Sequence, residues 1–407
     1  MDAQPPPRPF RAAADADRRS TVAGLVLMLV AFAIYALSSF RFEAGHPDFF
    51  YLADAFLHGR TWLDHAFGPN DAVIVGSRVY VPFAPFPAIA LMPLVALVGP
   101  LAADQWEQII GSAMAAIDVG LCWWLVGRIG VRSLGHRLWL VALFGFSTAL
   151  WWVTTRGGVW HTGHEVALMV TLAALIEVFG RRRPFILGLL LGAAFLSRAP
   201  LAFAAPFFAW VLIDSEEGGG PRTWPWTDLA TYVLGVLPAV VFALWYNAVR
   251  FGSALESGYA LASLPPFLEA QRRIGLFSPA HLGMNLDLLF THLPMVSGTP
   301  PFFRPDGLGL SILLTSPGLL LGLRADWRSR IVIALALTVV VVLLPSLLYY
   351  GGGWLQYGYR YALDVIPFVM ALVGLAVARA GMPGWSKVLI VFGIGVNLLG
   401  VYWAYNL

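Results

Sequence analysis

Apolar runs long enough to cross a hydrocarbon layer recur along this chain, and they exclude most folds before any other feature is read. They lie near 21–40, 109–127, 138–154, 164–180, 229–248, 307–323, 331–350, 362–379 and 388–406. A further run, 184–213, is broken by Arg198 and Pro200 and reads as two short spans. A helix rises about 1.5 Å per residue, so roughly 20 apolar residues cross a core about 30 Å thick. Soluble domains carry about a quarter charged residues, whereas 12% of these 407 residues are charged. The expectation is an all-α polytopic membrane protein, because a helix satisfies its own backbone polar groups in lipid. The first 20 residues, rich in Pro and Arg, read as an unstructured cytoplasmic tail and 21–407 as one transmembrane domain. The run at 21–40 exceeds a signal-peptide core and reads as a retained anchor.

Segment 83–101, FAPFPAIALMPLVALVGPL, is ambiguous because its four prolines are costly within a helix. Charge arithmetic decides between two topologies. If the segment lies along the interface, 16 of the 26 Lys and Arg fall on the cytoplasmic side and 10 outside; if it crosses, the balance becomes 11 to 15. The positive-inside rule selects the first. The reading is a bundle of about eleven spans with the amino terminus inside and the carboxyl terminus outside. Loops 41–108 and 250–306 then share the outer face with short loops at 155–163, near 198 and at 351–361. The expected location is the cell (inner or plasma) membrane, with the polar side toward periplasm or exterior.

Nucleotide-sugars and ATP are absent from that side, and no glycine-rich phosphate loop appears; the triplets 218–220 and 351–353 lack the flanking strand and helix. The formal charge of +3 is what the positive-inside rule itself produces, so no nucleic-acid partner is expected. Cys122, the single cysteine, allows neither a disulfide nor a thiolate metal site.

The first long loop holds Asp48, Asp54, Asp64 and Asp71. Asp48 precedes FFYLADAFLHG, where Phe49, Leu52, Ala53 and Phe56 recur at helical spacing and would lay an amphipathic helix on the interface. Two roles fit Asp48: a helix cap, worth about 1 kcal/mol, or a carboxylate base at headgroup depth. Asp54 competes for the base, while Asp64 and Asp71 read as loop solvation. Arg156, Arg198 and Arg360 stand in short outer loops, where each could face an anionic lipid phosphate, snorkel to headgroups or, for Arg360, pair with Asp364. His161, His164 and Glu165, at i, i+3 and i+4, could share a helix face and, with Asp48 or Glu256, hold a divalent cation; hydrogen bonding or sugar contact is the alternative. Asn247, Glu256 and Tyr259 can hydrogen-bond sugar hydroxyls, though aromatic residues at this depth also form the ordinary interfacial belt. Asp118 lies within a span, as either a functional acid or an interhelical hydrogen-bonding group.

In the order of its motifs the chain resembles the GT-C glycosyltransferases, which use polyprenyl-phosphate sugars, and within them the bacterial enzymes similar to protein O-mannosyltransferases and aminoarabinose transferases. The resemblance rests on GHPDFFYLADAFLHGR, the proline-rich YVPFAPFPAIALMPL, NAVRFGSALESGY and GYRYALDVIPF. It implies a GT-C-like bundle with juxtamembrane helices in the first outer loop. It also implies that Asp48 deprotonates or orients the acceptor, and that Arg198 and Arg360 lie near the donor phosphate. The family's oligosaccharyltransferase branch carries an acidic pair for a metal in the second outer loop; GGVWHTGHE has none. The implied activity is inverting transfer of a sugar from a polyprenyl-phosphate donor to a glycan, lipid or protein acceptor. Against it stands a lipid or solute transporter or flippase, which would carry an inverted repeat and midplane charges, and the sequence shows no repeat. A lipid-glycan polymerase and a non-catalytic binding protein are the remaining alternatives.

Overall fold

The computed structural model describes residues 8–40, 42, 45–214, 225–299 and 302–405. Its principal helices are α1 (Arg8–Ser39), α2 (Asp48–Leu57), α3 (Phe86–Val98), α4 (Glu107–Ile129), α5 (Leu134–Phe146), α6 (Leu150–Arg156), α7 (Val159–Val178), α8 (Pro184–Phe195), α9 (Ala205–Ile213), α10 (Trp226–Phe251), α11 (Arg330–Leu348), α12 (Ile366–Ala380) and α13 (Gly384–Ala404). Two short antiparallel hairpins, Val73–Val75 with Arg78–Tyr80 and Met295–Val296 with Phe303–Arg304, punctuate the two long loops. The protein is therefore mostly helical with little sheet, as its apolar runs require.

Among the described residues six helices are long and apolar enough to cross a membrane: α1 over Ser20–Ser39, α4, α7, α10, α11 and α13. The pair α5 and α6, bent by 44°, makes a seventh if it is one span. The shorter apolar helices are Phe86–Val98, Pro184–Phe195, Ala199–Ile213 and Ile366–Ala380. The span read at 307–323 is not one continuous helix: Ile312–Thr315 gives way to a 3-10 turn, Pro317–Arg324, where Pro317 cannot donate a helical hydrogen bond. The tail is also corrected, since α1 already begins at Arg8. Residues 1–7, the triplet 218–220 and Arg222 lie outside the described residues.

Polar contacts sort the helix ends onto two faces. On one, Trp123 and Arg137 bond Ser20, Arg330 pairs with Asp214 at 3.3 Å, and Arg379 pairs with Asp326 at 3.3 Å. We call this the basic face. On the other, the loop face, Ser39 meets Ser112 at 3.3 Å, Gly158 N donates to Glu107, Arg250 donates to Val81 O and Ser278 N donates to Leu348 O. Tyr405, just after α13, donates to Ser38 O at 2.6 Å, so α1 and α13 both end on the loop face. Run 184–213 is a hairpin: Arg182 reaches Asp214 O on the basic face, leaving Arg198 at the tip on the other.

Both ends of helix α3 lie on the loop face. Its Phe86 N donates to Leu196 O beside the hairpin tip, and the chain returns to the start of α4 on the same face. Ala88, Leu91 and Val95 of α3 pack on Phe49, Phe50, Leu52 and Ala53 of α2. The apolar side of α2 is thus covered by α3, while α3 exposes Leu97. Helices α8 and α10 cross at Gly188 and Gly235, where a Cβ on Gly188 would lie 2.9 Å from Gly235 Cα. Small residues permit such approach, and dispersion between backbones holds the pair where lipid removes the hydrophobic drive.

Candidate functional site

Asp48 is the first residue of α2, with Pro47 as the cap residue, so it is not itself the cap. Asp48 is left 9% exposed, with Oδ2 buried and without a hydrogen-bond partner among the described residues. Burial pushes the carboxyl up to about 6; its own backbone amide opposes the shift and the charge of Asp71 adds to it. His46 Nδ1 approaches Asp48 Oδ2 to 4.0 Å. That contact is not a charged pair, because burial and then the charge of Arg156 hold His46 below its usual value.

The His46 ring packs against Trp160, with centroids 4.2 Å apart and planes tilted by 56°, and Val159 N donates to His46 O at 3.0 Å, joining the first loop to the start of α7. Trp160 Nε1 donates to Asp71 Oδ2 at 3.0 Å. Asp71 has φ of 58°, a left-handed conformation that Asp tolerates, and this turns its carboxylate inward. The reading of Asp71 as loop solvation is therefore corrected. Burial raises its carboxyl, with the Trp160 hydrogen bond and the charge of Arg360 opposing.

The three arginines differ in what occupies them. Arg198, at the hairpin tip, clamps Asp364 with Nε and Nη2 each at 3.0 Å, and His164 Nδ1 lies 3.2 Å from the same carboxylate. Burial alone would raise Asp364, but Arg198 and then His164 outweigh it and hold the carboxyl at about 2. Asp364 thus pairs with Arg198, not with Arg360 four residues away. Arg360 donates to Trp354 O at 3.2 Å, and Arg156 lies over the Phe42 ring at 4.4 Å. Among the described residues neither has a carboxylate within ion-pair distance.

His161, His164 and Glu165 do not share a target. His161 contacts Gly157 O through Nδ1, leaves a buried Nε2 without a partner and lies within electrostatic reach of Arg360 and Arg156. His164 faces Asp364 and Tyr361. Glu165, 1% exposed, points into the seam against Gly111 of α4, away from the loop cluster. The described residues contain no group of three His, Cys, Asp or Glu that could hold a metal. Asp118 lies deeper, fully buried, with both oxygens unpartnered.

Asp54 is paired with His58 at 3.5 Å and Arg60 at 3.7 Å, and Arg60 also holds Asp64, so neither acid joins Asp48. Glu256 accepts from Gly258 N at 2.7 Å and closes its own turn. Tyr259 does join the cluster: its ring meets Phe83 and Tyr349, and burial pushes its hydroxyl up to about 12 although the charge of Arg198 opposes. His46, Trp160 and Asp71 are the members that sequence reasoning missed. The only local signal was the Pro69-Asn70-Asp71 turn composition, which marks a turn without saying which way a side chain points.

No known protein family, characterised protein or solved structure matches the chain. What the site does is argued from its own chemistry.

Proposed function

We propose that the protein is an inverting glycosyltransferase, moving a sugar from a polyprenyl-phosphate donor to an acceptor hydroxyl at the outer face of the cell membrane. The observation that carries this reading is an unpaired acid, Asp48, on the same face as two arginines without carboxylate partners, Arg156 and Arg360. Asp48 takes the proton as the acceptor oxygen bonds to the anomeric carbon. The bond from that carbon to the phosphate oxygen breaks, and the departing phosphate keeps the electron pair. Arg360 and Arg156 stabilise its growing charge, so no strong general acid is needed. One displacement inverts the anomeric centre. Arg198 has a different part here: Asp364 already compensates its charge, so it pins the hairpin tip to the Arg360 loop. In this reading the chain crosses eleven times: seven crossings from the long helices and the bent pair, two from the 184–213 hairpin, and one each from 312–324 and α12. The basic face is cytoplasmic, as the positive-inside rule asks.

The test is sugar transfer from a panel of polyprenyl-phosphate sugars in proteoliposomes. One donor is consumed, and Asp48→Asn loses on the order of 10²–10⁴-fold in rate with donor binding retained. Equal activity in the variant refutes the base. A second reading, a lipid or solute carrier, rests on the unpartnered intramembrane Asp118. It expects transport that Asp118→Asn abolishes and Asp48→Asn spares.

A further inference from the structure

Asp71 sits where, among the described residues, the two long loops pair through their backbones near Asp48. Asp71 N donates to Ser263 O at 2.8 Å, and Ser263 N returns a bond to Ala72 O at 3.0 Å. Beneath this pairing Val73 and Tyr80 of the first loop pack with Ala262 of the second. From the same residue the side chain reaches the Trp160 indole, the indole packs at a tilt against His46, and His46 borders Asp48. Each link is a direct contact, and the left-handed backbone at Asp71 fixes the direction in which the chain of contacts starts.

We propose that Asp71 is a positioning residue: through Trp160 and His46 it sets the place and charge environment of Asp48, and so couples the second outer loop to the acid that receives the acceptor proton. This rests on the transferase reading for its catalytic meaning, but the coupling itself is a property of the loops. An acceptor that engages the second loop would act on Asp48 through Ser263 and Asp71. The charged and titratable groups around Asp48 are His46 on its own loop, Asp71, and Glu107 at the start of α4, with Arg156 behind His46. Of these, Asp71 contributes a like charge that is bound to the second loop.

The experiment follows the Asp48 carboxyl directly, by pH-difference infrared spectroscopy of the full chain in nanodiscs with Asp48→Asn as the subtraction. Asp71→Asn keeps an acceptor for the indole and removes the charge; Asp71→Ala removes both. Both variants move the Asp48 midpoint downward, by on the order of half a pH unit or more. In the transfer assay Asp71→Ala lowers kcat about tenfold with donor KM unchanged, and Asp71→Asn recovers most of that loss. An unmoved midpoint in both variants, or equal kcat losses in the two, overturns the proposal. If the midpoint moves but no donor is consumed by any form of the protein, the transferase reading falls and the loop coupling stands.

Discussion

The chemistry of Asp48 is set by two opposed surroundings. The amino-terminal end of α2 favours the charged carboxylate, while burial disfavours it, and burial wins, leaving the group at about 6. Transfer should therefore rise with pH and reach half its plateau near pH 6, measured as kcat/KM against pH. Stability runs the other way. The carboxyl binds its proton more tightly folded than unfolded, so its contribution is complete below about pH 4 and is lost as pH rises through about 6. The loss is on the order of 3 kcal/mol at neutral pH. Asp48→Asn should then unfold at a higher temperature than wild type at pH 7.5, with the gap closing at pH 4.5; a variant less stable at both would contradict this. Asp364 has the opposite sign, held at about 2, so its contribution is fully present above about pH 4 and is lost as pH falls from there through about 2. Asp364→Asn leaves Arg198 buried without its partner and should cost about 3–5 kcal/mol, measured by thermal unfolding, with the double change to apolar residues costing less. Asp48, Arg156 and Arg360 were legible in the sequence because a charge in an oily chain is conspicuous. The Arg198–Asp364 pair was not: its partners are 166 positions apart, and the i, i+4 spacing pointed to Arg360 instead.

At the level of elements, apolar length was a good guide to which segments are helical and a poor one to how they lie. Helix α2 has the periodicity of an interfacial helix, and nothing in its sequence distinguishes lipid from α3 as the cover. Proline-rich α3 looked like a span by hydropathy, whereas charge counting along the whole chain laid it on the outer interface; in the fold its Phe86 N bonds Leu196 O on the loop face. At 307–323 hydropathy alone overstated the helix, because Pro317 ends one short helix and opens a 3-10 turn. The crossing of α8 on α10 carries a sharper consequence. A side chain at Gly188 must displace the Gly235 backbone, so Gly188→Leu should separate the helices and disturb Arg198, which the α8 end supports. Gly188→Ala should cost about 1–3 kcal/mol in thermal stability, whereas Gly283→Ala, with open space around its Cβ position, should be nearly silent. Equal effects at the two positions would remove the close approach as the reason for the glycine.

The whole molecule divides its polar work between two ends of one bundle. Short ion pairs of Arg330 with Asp214 and Arg379 with Asp326 close the basic face, while the long loops, Asp48 and two arginines with no ion-pair carboxylate among the described residues collect at the other. This separation makes orientation decisive for function, since a polyprenyl-phosphate donor presented on the far side would meet none of the cluster. The single cysteine, Cys122, is fully buried, so the protein is a natural background for one-cysteine labelling. Arg273→Cys in the second long loop and Arg328→Cys on the basic face place a thiol at exposed positions on opposite faces. In intact cells a membrane-impermeant maleimide should label Arg273→Cys and leave Arg328→Cys unmodified until the membrane is permeabilised. The reverse pattern would put the cluster on the cytoplasmic side, where nucleotide-activated sugars are available, and the proposed donor would lose its rationale. Labelling of both from outside would mean that the bundle does not separate these faces across the bilayer, and the eleven-crossing topology would fall with it.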